Sequence, residues 1–223
     1  MKLAILGSTG SIGNSTLEVI RQNKKDFSIS LLTAQTNHKL LIEQCEEFNP
    51  KFVYLEDEKA RKIFSDNATE KKLQINVIKS LMEFEEIIGS DQTDIVVAGM
   101  VGIAGLTPVH LAIQKGKKVL LANKESYVVA GEYLNNLCKE TGAIIFPIDS
   151  EHSAIHQCLN NEVNNSDVSR IILTGSGGPF LRKDIEEFSS ITPEQAINHP
   201  VWKMGKKISV DSSTLMNKGL EVI

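Results

Sequence analysis

Short apolar runs alternate with helix-like segments throughout residues 1–148, and this alternation limits the possible folds more than any other feature. The runs predict seven strands, at Lys2–Leu6, Phe27–Leu32, Lys51–Leu55, Gln74–Ile78, Ile95–Ala98, Lys118–Leu121 and Ala143–Phe146. Near-continuous apolar strands separated by helices are typical of a parallel sheet with both faces covered. We therefore predict an α/β, Rossmann-like doubly wound domain over residues 1–148, with ligands bound beyond the carboxyl ends of its strands.

A glycine-rich loop follows the first strand directly and leads into a helical pattern. Its glycines, Gly7, Gly10 and Gly13, have the spacing of a dinucleotide-binding loop. In such a loop the first glycine allows a tight turn, the second lets the backbone approach a pyrophosphate, and the third lets helix and strand pack closely. An ordinary tight turn is the alternative, and the strand–loop–helix context favours dinucleotide binding.

The loop after the second strand, residues 33–39, contains no aspartate or glutamate. NAD-specific folds usually carry an acidic residue near this position, where it binds the ribose 2′-hydroxyl. Because no carboxylate would repel a 2′-phosphate here, and Lys39 adds a positive charge, the sequence favours NADPH over NADH. The segment can also be a plain loop in which Asn37 caps a helix, and both interpretations can hold together.

Lys124 follows the sixth predicted strand, within the segment Ala122–Ser126. A lysine just past a buried strand, at the same sheet edge as the glycine loop, is well placed to contact a bound ligand. The alternative is a solvated surface lysine, which is the commoner state of this residue type.

The segment Pro147–His152 follows the seventh predicted strand and contains two carboxylates. If the extended conformation continues, Asp149 and Glu151 project to the same side, with Ser150 between them. Two hard oxygen ligands suit a divalent ion such as Mg²⁺ or Mn²⁺. The alternative is that Asp149 or Ser150 caps a helix that starts near Glu151.

The periodicity changes after Glu151. We predict a surface loop at Asn160–Asp167, a strand at Arg170–Leu173 and a glycine-rich turn at Thr174–Pro179. The turn can be an anion-binding nest of backbone amides or an ordinary turn. The segment His199–Gly205 is predicted to form a lid that carries the only tryptophan, and a buried core tryptophan is the alternative.

The last segment is predicted to run from a strand, Lys207–Val210, into a helix that opens at Asp211. Ser212, near the start of that helix, would lie at an anion-binding helix N-terminus. A further helix start is predicted at Thr192, because a proline follows this cap residue.

Asn217, Lys218 and Glu221 are spaced so that all three can share one helix face. Lys218 and Glu221 could also be a simple surface pair. The chain stops two residues after Glu221, in mid-helix, so we expect a fragment of a longer protein. Residues 149–223 are predicted to form a smaller α+β domain.

Composition excludes several classes of function. The net charge of −4 gives no electrostatic argument for binding nucleic acid or an anionic membrane surface. The three cysteines are odd in number and widely spaced, which argues against a disulfide framework and a zinc-thiolate site. The apolar start is too short for a signal peptide, and no apolar stretch is long enough to span a bilayer. We expect a cytoplasmic protein.

Five stretches together resemble the 1-deoxy-D-xylulose 5-phosphate reductoisomerase family. They are GSTGSIG from Gly7, ANKES from Ala122, PIDSEHSAI from Pro147, LTGSGGPF from Leu173, and HPVWKMGKKISVDSSTLMNKGLE from His199. The resemblance covers nearly the whole chain, and the last three stretches are its most specific part. It implies NADPH- and divalent-metal-dependent conversion of 1-deoxy-D-xylulose 5-phosphate to 2-C-methyl-D-erythritol 4-phosphate in the non-mevalonate isoprenoid route. It also implies a homodimer and Mg²⁺, Mn²⁺ or Co²⁺ as the metal.

The resemblance further implies a set of site residues. The metal ligands would be Asp149, Glu151 and Glu221, and the catalytic residues Lys124, Glu151 and His199. The substrate would be bound by Ser150, Ser176, His199, Trp202, Ser212, Asn217 and Lys218. NADPH would be bound by Gly7, Thr9, Gly10, Ser11, Ile12, Ala34, Asn37, Asn123, Glu125, Met204 and Gly205.

The chain departs from the family pattern in two places. Many members carry a basic residue where Thr36 stands, which affects the expected 2′-phosphate contacts. The C-terminal helical domain of the family is absent from this chain.

Two other functions fit parts of the sequence. One is an aspartate-semialdehyde-dehydrogenase-like oxidoreductase, which has a similar glycine loop and needs a nucleophilic cysteine. The other is a nucleotide-sensing module without catalysis.

Overall fold

In a computed structural model, which describes residues 1–159, 165–200 and 205–223, seven strands form one parallel sheet. In chain order they are β1 (Lys2–Leu6), β2 (Ser28–Ala34), β3 (Phe52–Leu55), β4 (Asn76–Ile78), β5 (Ile95–Ala98), β6 (Lys118–Leu121) and β7 (Ile144–Pro147). The seven predicted strands are confirmed, with ends displaced by no more than two residues. The chain divides into two compact units, Met1–Ile148 and Asp149–Ile223.

Six α-helices accompany the sheet in the first unit. They are α1 (Ser11–Gln22), α2 (His38–Phe48), α3 (Glu58–Glu70), α4 (Leu81–Gly89), α5 (Leu106–Gln114) and α6 (Lys124–Thr141), and a short 3₁₀ helix, Ile103–Gly105, precedes α5. The predicted Rossmann-like α/β fold is therefore confirmed. Among the described residues, no helix is both long and apolar enough to cross a bilayer.

The first unit has an apolar core on each face of the sheet. In β1, Leu3 and Ile5 belong to one cluster of buried side chains, whereas Ala4 and Leu6 belong to the other. Successive side chains of a strand point to opposite faces. Burial of both faces therefore explains why the strands are almost continuously apolar rather than alternating.

The strand order places β1 at the point where the chain changes direction across the sheet. The order is β4-β3-β2-β1-β5-β6-β7, so the chain builds outward from β1 first on one side and then on the other. Connections that leave β1 and β5 consequently run to opposite sides and leave a crevice at the carboxyl ends of the strands. The glycine loop lies at this crevice.

Helix caps agree with the sequence at two positions and differ at a third. Asn37 caps α2 by accepting a hydrogen bond from the Leu40 N–H, and Ser80 caps α4 through the Glu83 N–H. Thr107 directly precedes a proline, a pattern that predicts a helix cap at the threonine, but this prediction is wrong. The 3₁₀ turn ending at Gly105 runs directly into α5, so Thr107 already lies within the helix.

The described part of the second unit is helical and irregular. Its α-helices are α7 (Ser150–Cys158), α8 (Pro193–Ile197), α9 (Lys206–Ser213) and α10 (Met216–Val222), and its 3₁₀ helices are Asn165–Asp167 and Ile185–Ser190. The predicted helix start at Thr192 is confirmed, since this residue forms a full capping box with Gln195. The predicted loop at Asn160–Asp167 lies outside the described residues as far as position 164.

Two predicted strands of the second unit were wrong. Arg170–Leu173 has no regular structure, and Lys207–Val210 lies in the helix α9. A strand needs a neighbouring strand to satisfy its backbone N–H and C=O groups. Within residues 149–159, 165–200 and 205–223 no such neighbour exists, so the expected α+β character is not seen there.

Alanine at position 13 should destabilise the first unit. Its Cβ atom would overlap the Cα and carbonyl oxygen of Ser8 and would lie 2.5 Å from Gly7 O. We expect Gly13→Ala to lower the free energy of unfolding by about 1–3 kcal/mol, the usual cost of overpacking. Urea unfolding followed by circular dichroism measures it. Gly219→Ala is the control, since its Cβ would meet open space. Equal stability of the two variants would contradict the packing argument.

Candidate functional site

The glycine loop of the first unit has the geometry of an anion site. Gly7 has a φ angle of +77°, in the left-handed region that favours glycine, and its N–H donates to Thr33 Oγ1 at 2.9 Å. The Gly10 N–H donates to Gly7 O at 3.0 Å, which closes the loop. Gly10 is the N-cap of α1, and as a glycine it has no side chain that could cap the helix. The first-turn N–H groups are therefore left for an anion.

A cavity of about 530 Å³ opens beside this loop, at the carboxyl ends of β1, β2, β3 and β5. Four of the predicted NADPH-binding residues line it: Gly7, Thr9, Gly10 and Ala34. The remainder of the wall comes from the strand ends and from the segments after β5, including Gly99, Met100 and Val101. The cavity thus occupies the crevice that the strand order creates.

The other predicted NADPH-binding residues of the first unit do not line this cavity. They are Ser11, Ile12, Asn37, Asn123 and Glu125. Asn123 is buried, and its side-chain amide donates to Met100 O at 3.0 Å and to Gly102 O at 2.8 Å. This residue therefore holds the cavity wall in place instead of facing the cavity.

Lys124 is the first residue of α6 and directly follows the buried Asn123, which caps the helix by accepting from the Ser126 N–H at 3.2 Å. Its side chain is partly buried, so a fully solvated surface position is not its state here. The backbone turn between β6 and α6 fixes the position of the Lys124 Cα atom, because the Lys124 N–H donates to Ala122 O at 3.0 Å.

Sequence reasoning missed several residues of the cavity wall. Glu56, immediately after β3, adds a carboxylate, and the rings of Tyr54 and Phe84 pack with centroids 6.1 Å apart. The available signal was the position of Glu56 past a strand end, the same criterion that singled out Lys124.

Three carboxylates converge in the second unit. Oxygen atoms of Asp149, Glu151 and Glu221 all lie within 4.8 Å of one another, and Glu221 is buried. The pair was predicted from an extended alternation, and that premise was wrong. Asp149 is the N-cap of α7 and Glu151 lies in its first turn, so a helix start brings the two together.

His152 links the elements that carry these carboxylates, and the sequence analysis did not single it out. Its Nδ1 lies 2.9 Å from Asp149 Oδ2, and its Nε2 lies 3.2 Å from the backbone carbonyl of Glu221. One imidazole ring therefore ties the N-terminus of α7 to α10.

Asn217, Lys218 and Glu221 meet on one face of α10, as their spacing predicted. The Asn217 side-chain amide donates to Glu221 Oε1 at 2.6 Å, and Lys218 Nζ donates to Glu151 Oε1 at 2.8 Å and also to Glu221. Because the Glu221 side chain is buried, the alternative of a simple surface pair does not hold.

These contacts shift the pKa values of both partners toward their charged forms. Burial raises the pKa of Glu151, but hydrogen bonds from Lys218 and Ser150 outweigh it, and the net pKa is lowered. Burial lowers the pKa of Lys218, but its bonds to Glu151 and Glu221 outweigh this, and the net pKa is raised. At neutral pH a charged Lys218 therefore faces an ionised Glu151.

The glycine-rich turn at Thr174–Pro179 packs against the same helices. Its Ser176 Oγ lies 2.9 Å from His199 Nε2, and His199 is largely buried. A Cβ atom on Gly175 would lie 3.2 Å from Lys218 Cε, so the turn passes close to that lysine stem. Ser176, His199 and Lys218 are thus brought to one region, and their role in substrate binding stays a prediction.

The predicted position of Ser212 at a helix N-terminus was wrong. Ser212 lies near the end of α9, and α10 begins only at Met216, after Leu215 adopts a left-handed φ of 61°. Its neighbourhood is nevertheless the glycine-rich turn, because a Cβ atom on Gly178 would lie 3.1 Å from Ser212 O. The predicted lid residues Trp202 and Met204 lie outside the described residues. Gly205 is the N-cap of α9.

Comparison with known families agrees with this arrangement. The family model for 1-deoxy-D-xylulose 5-phosphate reductoisomerase matches residues 3–131, and the model for the C-terminal domain of that enzyme matches residues 145–223. The chain belongs to the 1-deoxy-D-xylulose 5-phosphate reductoisomerase family. Its glycine loop falls within the first match and its carboxylate cluster within the second.

Individual relatives agree with the family assignment. The 1-deoxy-D-xylulose 5-phosphate reductoisomerase of Glaesserella parasuis is 48% identical over 100% of this chain and 58% of its own length. That of Clostridium perfringens is also 48% identical with the same coverage. A solved DOX-P reductoisomerase in complex with NADPH, fosmidomycin and magnesium has a TM-score of 0.93 and 41% identity, over 100% of this chain and 56% of that one. The chain thus spans a little over half the length of these reductoisomerases.

Lys218 and a divalent cation would compete for the same carboxylates. We expect Lys218→Met to bind Mn²⁺ at least about threefold more tightly, because a like charge is removed from the cluster. Calorimetric titration of the chain with Mn²⁺ measures the change. Lys207→Met is the control, since its ion pair with Asp211 lies outside the cluster. Weaker binding by Lys218→Met would show that the lysine supports the cation instead.

Cys45 and Cys138 should be poor nucleophiles, because burial raises the pKa of both thiols. Burial raises the pKa of Cys45 to about 12, whereas Cys158 is exposed. At mildly alkaline pH we expect iodoacetamide to modify Cys158 first and Cys45 only after unfolding, as read by mass spectrometry of the peptides. Rapid modification of Cys45 in the folded chain would contradict this.

Proposed function

We propose that this chain carries the NADPH-binding and catalytic units of a reductoisomerase that converts 1-deoxy-D-xylulose 5-phosphate to 2-C-methyl-D-erythritol 4-phosphate. The product would enter the non-mevalonate isoprenoid route. The observation that carries the proposal is the convergence of Asp149, Glu151 and Glu221 in a chain of this family. The proposed division is an NADPH-binding domain at 1–148 and a catalytic domain at 149–223.

The carboxylate cluster fits a divalent metal ion. Three hard oxygen donors close to one another suit Mg²⁺, Mn²⁺ or Co²⁺, and Asp149, Glu151 and Glu221 would hold the ion. When bound, the ion would supply Lewis-acid polarisation of a substrate carbonyl and hydroxyl. The related structure noted above was solved with magnesium.

The surrounding side chains of the second unit are suited to hold the substrate. Ser176, Ser212, Asn217 and Lys218 are assigned to the phosphate, because they offer hydroxyl, amide and ammonium donors. A phosphate anchored away from the reacting carbons supplies binding energy for positioning. Ser150 is assigned to a substrate hydroxyl, and its own hydroxyl now donates to Glu151 at 2.5 Å.

Four further residues complete the proposed site. Lys124, His199 and Glu151 are assigned as the catalytic residues. Trp202 and Met204 are assigned to a closing lid, which would exclude water from the reduction. The support for these four assignments is the family motifs that contain them.

The first unit fits NADPH. The glycine loop offers first-turn amides without an acidic residue, and residues 33–39 contain no carboxylate that would repel a 2′-phosphate. NADPH would supply the hydride that reduces the rearranged aldehyde. Gly7, Thr9, Gly10 and Ala34 are assigned to direct contacts, and the proposed set is completed by Ser11, Ile12, Asn37, Asn123, Glu125, Met204 and Gly205.

We further propose that the working form is a homodimer in the cytoplasm, as the resemblance of the sequence implies for the assembly and its composition for the location. Light scattering coupled to size-exclusion chromatography tests the homodimer, and a mass equal to one chain would contradict it. Fluorescence microscopy of a tagged protein tests the cytoplasmic location.

The deciding experiment measures NADPH oxidation by the chain with 1-deoxy-D-xylulose 5-phosphate, with and without Mn²⁺. We expect Mn²⁺-dependent turnover, and we expect Glu151→Gln to reduce it at least about a hundredfold by removing a metal ligand. NADPH affinity should stay within about twofold, because Glu151 lies in a different unit from the glycine loop.

Glu186→Gln is the matched control, an exposed glutamate of the same unit, and it should behave as the unmodified chain. Equal loss of turnover and NADPH affinity in Glu151→Gln would contradict the metal assignment. NADPH binding without any Mn²⁺-dependent turnover would favour the nucleotide-sensing module instead.

A further inference from the structure

A buried glutamine lies beneath the glycine loop and uses both ends of its amide there. Gln44 is in α2 and is only 5% exposed. Its Oε1 accepts from Ser8 Oγ at 2.8 Å, and its Nε2 donates to Ser8 O at 3.0 Å and to Asn14 Oδ1 at 3.0 Å. One side chain therefore joins α2 to the loop and to the first helix.

The loop depends on contacts from outside itself for its shape. Glycines at positions 7, 10 and 13 leave the backbone unusually free to adopt other conformations. Ser8 counters that freedom, since its side chain is fully buried and its N–H donates to Thr33 O at 2.8 Å. Gln44 holds the same residue by its hydroxyl and its carbonyl.

The residues that Gln44 holds flank those that face the cavity. Thr9 and Gly10 line the cavity, and Ser8 directly precedes them. Asn14 approaches the loop from the other side, where its Nδ2 lies 3.4 Å from Thr9 O. Thr9 thus lies between two residues that a single buried amide fixes.

We propose that Gln44 is a positioning residue for the dinucleotide: it holds Ser8–Gly10 in the shape that presents the first-turn N–H groups of α1 to the cofactor phosphates. This inference rests on the proposed NADPH function. Gln44 follows Asn37, the N-cap of α2, by seven residues, so both lie on the same side of one rigid helix. The loop after β2 and the phosphate loop are thereby held by a single element.

The test compares Gln44→Met with a control of equal burial. Methionine keeps the volume but removes both donors and the acceptor. Thr93→Val is the control: Thr93 is 1% exposed and bonds Ile87 O at 3.2 Å and Ser30 Oγ at 3.1 Å, at the opposite, amino-terminal edge of the sheet. Both variants lose buried hydrogen bonds, and only one of them touches the loop.

Three quantities are measured on the whole chain: the NADPH dissociation constant by fluorescence, the Mn²⁺ dissociation constant by calorimetry, and the melting temperature. We expect Gln44→Met to weaken NADPH binding about tenfold or more, the effect of losing one or more buried hydrogen bonds at the binding loop. Its Mn²⁺ affinity should not change. Thr93→Val should lower the melting temperature while keeping NADPH affinity within about twofold.

A second readout does not depend on the cofactor. Without nucleotide, peptides covering residues 7–14 should exchange their amide hydrogens faster in Gln44→Met and at the original rate in Thr93→Val. If Gln44→Met does not fold, Gln44→Glu takes its place, since it keeps the Ser8 acceptor and turns an oxygen toward Ser8 O and Asn14 Oδ1. For Gln44→Glu we expect the same weaker NADPH binding and the same faster amide exchange over residues 7–14.

Unchanged NADPH affinity and unchanged loop exchange in the folded Gln44 variant would overturn the inference. Equal losses of NADPH affinity in Gln44→Met and Thr93→Val would also overturn it, because they would indicate a general loss of stability. If the unmodified chain binds no NADPH, the proposed function fails, and the exchange measurement alone decides whether Gln44 holds the loop.

Discussion

Three carboxylates within 4.8 Å of one another repel strongly, and the second unit is organised around compensating that repulsion. Lys218 provides a full positive charge, and Asn217 provides a neutral donor to Glu221. The N-terminus of α7 adds the positive end of a helix dipole beneath Asp149 and Glu151. A cation entering this cluster would meet ligands that are already oriented, and it would take over the compensation that Lys218 now provides.

The N-termini of α1 and α7 differ in whether acidic side chains occupy them. The first turn of α1 has no acidic residue and no side-chain cap, so its free N–H groups and positive dipole are kept for a ligand. The first turn of α7 carries acidic side chains of its own. One unit is thus suited to bind phosphate through its backbone, and the other to bind a metal through its side chains.

The fold of the first unit could be predicted because strands buried on both faces leave a simple apolar signal. The same signal failed at Arg170–Leu173 and Lys207–Val210, where an apolar run cannot by itself reveal whether a partner strand exists. Asp149 and Glu151 were correctly paired for the wrong reason, since a helix start and an extended strand can both bring them together. Gln44 could not be predicted from the sequence, because its contacts join segments that are 30 and 36 residues apart.

The left-handed conformation of Leu215 gives α10 a fixed direction. A leucine in this region costs about 1 kcal/mol or more relative to glycine, and its side chain is mostly exposed, so it recovers little by packing. What a leucine does contribute is a narrower choice of backbone angles at the joint between α9 and α10. The joint thereby limits pivoting of the helix that bears Glu221, and the conformational entropy of aligning this carboxylate with Asp149 and Glu151 is lost during folding.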